Sequence, residues 1–261
     1  MALEFPSLPG QLFALLLLAA LFIPVERLFP LHRGQKVFRR QWGNDLVHFF
    51  VNGYAVQVGL IAGIVALAVL ARVAVPQGWR DVVGGQPAWA QILEGFVILE
   101  LVQYGTHRAF HTVGWMWRFH QVHHTIKELD WLAAARLHPV DQALSKTIGV
   151  APLILLGFSL PELTFVTVLF TLWAIFLHSN TRFRFGPLRY LIATPEFHHW
   201  HHSNEPQAYT KNLAGLFPWV DMLFGTFYLP DRWPAVYGVG DPVPETYLGQ
   251  MAYPFRRPPR P

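Results

Sequence analysis

The chain has no cysteine. That excludes a disulfide framework, thiol catalysis, thiolate metal sites and iron–sulfur clusters ligated by the chain itself. Charge is also scarce: only 14% of the 261 residues are Asp, Glu, Lys or Arg, against 52% hydrophobic and 15% aromatic. A composition so poor in charge belongs with membrane proteins rather than soluble domains. There is no long basic run and no nucleic-acid recognition motif, so the net charge of +4 fits a face turned to anionic lipid better than a nucleic acid. No internal repeat of solenoid period is present, and nothing marks a second domain.

What the chain does have is histidine, in three spaced groups. The first two lie between Tyr104 and His124, as His107-x-x-x-His111 and His120-x-x-His123-His124. The third is Thr194-Pro195-Glu196-Phe197-His198-His199-Trp200-His201-His202. Residues three and four apart share one face of a helix, so each group aims its imidazoles in one direction. His198, His201 and His202 repeat the pattern of His120, His123 and His124. A closed zinc site takes about four ligands, so eight such histidines imply two ions, of a metal suited to imidazole: zinc, copper or iron. His199 lies about 100° around the helix from His198, which takes it off that face and into a supporting or substrate-facing place. His32 reads as solvated and His48 as packed at a span's start.

These boxes, followed by Lys211-Asn212-Leu213-Ala214-Gly215 and Trp219-Val220-Asp221-Met222-Leu223-Phe224-Gly225-Thr226, resemble the sterol desaturase and fatty acid hydroxylase superfamily of membrane-bound, histidine-rich non-haem di-iron enzymes. The likeness runs from about Trp42 to Pro230. It implies two iron ions, dioxygen as co-substrate, and hydroxylation or desaturation of a membrane lipid, sterol-like or fatty-acyl. It adds His178 to the ligand set and makes His138, in His138-Pro139-Val140-Asp141, either a further ligand or a turn-shaping residue. The three-residue gap in the first box favours the sterol-desaturase type over carotenoid hydroxylases. Glu196, Asp141, Asp130 and Asp221 are candidates to accept from the far nitrogens of ligating imidazoles, with Asp221 the preferred one. No haem or flavin motif appears, and His138-Pro139 lacks the two glycines of a fused cytochrome b5 domain. Electrons therefore come from an external ferredoxin, cytochrome or reductase.

The expected fold is all-α: about four to five transmembrane helices under a cytoplasmic histidine-rich cap, forming one domain over residues 1–230, with a proline-rich tail at 231–261 that is extended or disordered. The spans are Leu8 to Phe29, Leu46 to Val75, Ala88 to Thr106, Asp141 to Phe158 and Pro161 to Leu177, the last two a hairpin through Ser159-Leu160-Pro161. The first reads as a retained helix rather than a secretory signal, since Glu4 and no basic residue precede it. Within the third, Glu94, Glu100 and Gln103 are either functional or inward-facing, or simply wet. Outer connections carry Arg72 and Arg80. Inner ones carry Arg27, Arg33, Lys36, Arg39, Arg40, Arg108, Arg118, Lys127, Arg136 and Lys146, which places the histidines and the carboxyl terminus in the cytoplasm. Trp115, Trp117, Trp131, Trp200 and Trp219 read as an interface belt in preference to substrate stacking. A membrane metal transporter is the rival from another class, but it should hold its ligands near the bilayer midplane, whereas these sit in polar stretches at helix ends.

Overall fold

In the computed structural model, which describes residues 7–256, the chain is all-helical, with no named strand among those residues. The first helix, α1 (Leu8–Leu28), starts where Ser7 Oγ accepts from Gly10 N–H, satisfying one of the free donors of a helix start. The second, α2 (Trp42–Ala74), begins after Gln41. A π-turn at His48–Asn52 interrupts it and brings both His48 and Asn52 inward. Next come α3 (Gln77–Gly84), α4 (Ala88–Thr112) and α5 (Gly114–His124).

The hairpin follows as α6 (Pro139–Leu156) and α7 (Leu160–His178). Gly157 ends α6 at φ 91°, and a Cβ there would sit 2.8 Å from Arg80 Cβ, so this joint needs glycine. Three short helices complete the cap: α8 (Pro195–His201), α9 (Pro218–Phe224) and α10 (Tyr247–Ala252).

Among the described residues, three helices are long and apolar enough to cross a membrane, α1, α2 and α7, with mostly exposed sides. The expected spans at Ala88 to Thr106 and Asp141 to Phe158 are helical, but α4 and α6 carry polar groups that serve the interior. Glu100 on α4 is fully buried and accepts from the backbone N–H groups of Gly215, Leu216 and Phe217 at 2.9–3.2 Å. Gln103 Nε2 donates to Ser145 O, and Gln91 Oε1 accepts from Ser159 N. Glu94 instead pairs with Gln86 at the exposed end. Between an inward-facing and a wetted glutamate, Glu100 is the inward-facing one, and it anchors the loop before α9.

A buried ion-pair network joins the amino-terminal segment to the cap. Arg39 bridges Asp45 and Asp130 at 2.6 and 2.7 Å, and Arg136 grips Asp45 through Nε at 2.5 Å and Nη2 at 2.9 Å. Arg39 and Arg136 are therefore interior residues, not charges facing the headgroups. Asp130 is committed to Arg39 and to capping the turn at Trp131–Ala135 through Ala133 N, and it touches no imidazole. Glu26 of α1 adds a tether by accepting from Trp131 N and Asn180 N.

The carboxyl-terminal segment, expected to be extended or disordered, is packed from 231 to 256. Residues 257–261 of that tail, like Glu4 at the other end, lie outside the described residues. Tyr237 bridges to Ser203, Glu245 pairs with Arg40, and Gln250 Oε1 meets His48 Nε2 at 2.7 Å while Tyr247 OH donates to Asn52. Proline content misled here because side-chain partners, not backbone periodicity, hold this segment. The tryptophan belt also divides: Trp115 is exposed, whereas Trp131 and Trp200 lie in the core.

Breaking a buried ion pair leaves the partner charge stranded, at a cost of about 3–5 kcal/mol. Arg136→Met is thus expected to lower the thermal unfolding midpoint of the detergent-solubilised protein sharply, while Arg40→Met, on an exposed pair, leaves it nearly unchanged. Equal midpoints for the two variants would contradict the network's role.

Candidate metal centre

Two groups of imidazoles converge where the polar ends of α4, α5 and α7 meet α8. His107, His111, His120, His124 and His201 form one, and His123, His178, His198 and His202 the other; within each, a nitrogen from every ring lies within 4.8 Å of all the rest. Helix geometry explains the division. Each i, i+4 pair stays together: His107 with His111, His120 with His124, and His198 with His202. The residue three along from the first member, His123 or His201, crosses to the other group. The sequence boxes are therefore not the sites; each of the last two boxes serves both.

The outer ring nitrogens reveal the state of the inner ones. His107 Nδ1 faces Leu213 O at 2.8 Å, His201 Nδ1 faces Lys211 O at 2.9 Å, His123 Nδ1 faces Arg136 O at 2.9 Å, and His178 Nδ1 faces Ala174 O at 2.7 Å. His120 Nδ1 meets Asp141 Oδ2 at 2.8 Å. A carbonyl or carboxylate oxygen accepts only, so in each of these rings Nδ1 carries the proton and Nε2 of the neutral ring is a bare lone pair.

Those lone pairs face other ring nitrogens, and in two pairs they face each other. His107 and His120 Nε2 are 3.0 Å apart and His123 and His178 Nε2 are 3.1 Å apart. Nε2 of His178, His198 and His202 form a triangle with edges of 3.1–3.2 Å. Nε2 of His111, His124 and His201 have no protein partner. Two neutral acceptors at such a distance repel unless a cation lies between them. Donors about 2.05 Å from one metal ion stand about 2.9 Å apart at octahedral angles and about 3.3 Å at tetrahedral ones, and the observed edges fall in that interval.

Burial first, and neighbouring imidazoles second, hold His120, His124, His198 and His202 well below the usual imidazole range. Burial does the same for His123 and His201. They are neutral donors at physiological pH, the form a metal ion takes. An all-imidazole, thiolate-free set fits zinc, copper or iron. The donor set therefore fits a metal site in each group.

Other candidates lie elsewhere. His138 joins neither group: its Nδ1 accepts from Val140 N at the start of α6 and its Nε2 lies 3.2 Å from Met251 O, so it takes the turn-shaping role. His199 is fully buried and points away, between Tyr237 OH and Ser179 O, which leaves no substrate-facing role. Asp141 does hold an imidazole, that of His120. Asp221 does not; it accepts from Leu213 N, Ala214 N and Thr226 Oγ1 at 2.6–2.8 Å, fixing the loop whose Leu213 carbonyl positions His107. Glu196 pairs with Arg184 and Arg189 rather than with a ring. Sequence reading missed the carbonyls of Ala174, Lys211, Leu213 and Arg136, since a backbone acceptor has no residue signature.

A cleft of about 420 Å³ reaches the five-histidine group, with His111, His124, His201, Trp117 and Gln121 in its wall. Trp117 lines the cleft, its ring centroid 5.1 Å from that of His111 and tilted by 44°.

Comparison with known proteins agrees with this geometry. The model of the fatty acid hydroxylase family matches residues 92–226. Ornithine lipid hydroxylase OlsE of Rhizobium tropici is 31% identical over 240 residues, 89% of this chain and 71% of that one. Methylsterol monooxygenase 1 of Rattus norvegicus is 28% identical over 84% of this chain and 71% of its own length. Alkylglycerol monooxygenase of Homo sapiens is 32% identical over 57% of this chain, which spans only 33% of that protein. No solved structure matches the chain. With more than half its length inside the family model and its buried histidines converging as two donor sets, the chain belongs to the fatty acid hydroxylase family of membrane oxidoreductases.

Proposed function

We propose that this protein is an oxygen-dependent hydroxylase of a membrane lipid, with one iron ion held by His107, His111, His120, His124 and His201 and a second by His123, His178, His198 and His202. The observation that carries this is the pair of convergent imidazole sets, in each of which two Nε2 atoms without protons face each other. The relatives named as hydroxylases and monooxygenases of lipids favour insertion of oxygen over desaturation. Bound iron would supply the redox chemistry for reducing dioxygen. Overall, a C–H bond of the lipid breaks and a C–O bond forms; one oxygen atom enters the lipid and the other leaves as water, with two protons and two electrons from an external carrier.

The chain's own contribution is preorganisation. Asp141 and four backbone carbonyls fix ring tautomer and direction. Glu100 and Asp221 hold the 213–217 loop rigid through five backbone N–H groups. The first two spans, α1 and α2, enclose the inner loop with Arg33, Lys36 and Arg40, and this basic loop supports a cytoplasmic side for the histidines and the carboxyl terminus.

Three outcomes are expected. Cells supplied with labelled dioxygen should contain a lipid carrying one labelled oxygen only when the protein is active; a product lighter by two hydrogens and unlabelled would make it a desaturase. Metal analysis should give about two iron ions per chain in the wild type, about one in His198→Ala or His111→Ala, and no loss in His138→Ala or His199→Ala. Full loss in His199→Ala, or full retention in His198→Ala, contradicts the ligand sets. A reporter fused to the carboxyl terminus should be active in the cytoplasm, and activity only outside would invert the orientation.

A further inference from the structure

We infer that residues 213–224 form a re-entrant membrane element: they leave the cap, enter the lipid leaflet on the histidine side beside α4 and α7, and return, with the outer face of α9 against acyl chains. This requires that α7 spans the membrane and is independent of the reaction catalysed. From Leu213 to Phe224 the one charged residue is Asp221, and it is fully buried. Met222, Leu223 and Phe224 follow it and are 41%, 69% and 48% exposed. Three consecutive bare apolar side chains on a short helix mark a surface that meets something other than water.

Neighbouring helices fix the depth. Both ends of the segment stand at one level, where Asn212 N donates to Thr226 O at 2.9 Å and Lys211 Nζ donates to Gly225 O at 3.1 Å. That is the level of the imidazoles, since Lys211 O and Leu213 O face His201 and His107. The tip lies deeper. Glu100, which accepts from Gly215, Leu216 and Phe217, comes two helical turns before His107 on α4, about 10 Å along the axis. A Cβ on Gly215 would stand 2.6 Å from Phe170 Cζ, and Phe170 lies near the middle of α7, about 12 Å before His178. On the way back, Phe224 stacks on Tyr104 at 5.1 Å, one turn before His107. The chain thus goes down beside a span and climbs back through α9.

Non-helical backbone is tolerated at such depth only where its polar groups are paired within the protein. Glu100 and Asp221 together take the N–H groups of residues 213–217, and Leu216 O accepts from Ala193 N at 2.8 Å. A loop in water could leave those amides to solvent, so two buried carboxylates spent on them fit a lipid surrounding. The apolar surface is also continuous with the face of α7 that meets lipid. The turn that holds Phe170 exposes Leu169 and Leu172, and Leu191 and Ile192, next to Ala193, are exposed as well.

The chain has no cysteine, so one introduced thiol carries a fluorescent bimane to a single place. The full-length protein is labelled as Met222→Cys or Leu223→Cys and placed in phosphatidylcholine nanodiscs, with Leu172→Cys on α7 as the lipid reference and Val236→Cys, on an exposed cap residue, as the aqueous one. Labels at 222 and 223 are expected to lose most of their emission when the acyl chains are brominated, as the label at 172 does, and to keep it in aqueous iodide, whereas the label at 236 should behave in the opposite way. Iodide quenching at 222 and 223 equal to that at 236 overturns the inference. Protection from both quenchers overturns it too, since a second copy or another protein would then cover α9. If iodide reaches the label at 172, the membrane placement of α7 fails, and the re-entrant element with it.

Discussion

Everything in the cap depends on one constraint: imidazole nitrogens without protons are held face to face at 3.0–3.1 Å inside the protein. Neutral acceptors do not gather like this by themselves. They are held there by what lies behind them, because each Nδ1–H that points outward at a fixed oxygen commits the opposite nitrogen to the inside. The oxygens are in turn fixed. Leu213 O depends on the loop that Asp221 and Glu100 clamp, and Arg136 O on the residue whose guanidinium is locked to Asp45. The apparently unrelated buried charges of this protein therefore serve one end.

That dependence explains why so much ionisable chemistry lies inside an apolar chain. Buried carboxylates are tolerated only when their acceptor capacity is filled. Glu100 receives three backbone N–H groups and Asp221 two plus a hydroxyl. Each converts a loop, which would otherwise be adaptable, into a rigid support. The π-turn in α2 belongs to the same scheme: by turning His48 and Asn52 toward Leu137 O and toward α10, it joins a long apolar helix to the carboxyl-terminal segment.

The histidine spacing made the metal site legible, because i, i+3 and i, i+4 relations survive translation into a helix. It did not disclose how the boxes divide. His123 and His124 are adjacent in the chain but serve different groups, and only the meeting of four elements in space decides that. The all-helical fold and the hairpin joined near Ser159-Leu160-Pro161 were legible from apolar runs and breakers, though the turn residue itself, Gly157, was not. The order of the carboxyl-terminal segment was not, since it rests on pairs such as Arg40 with Glu245, 205 residues apart. Asp221 was found for a sound reason, a carboxylate in a family motif, yet it acts on backbone amides one step further out than a ring nitrogen.

The central claim is that two all-imidazole sets each hold a metal ion, and X-ray absorption at the iron edge of the purified full-length protein tests it most directly. The account expects about two irons per chain, each with a nitrogen shell near 2.1 Å and the outer-shell scattering of several imidazole rings. A single metal per chain, or a shell dominated by carboxylate and water oxygens with little imidazole scattering, would contradict it.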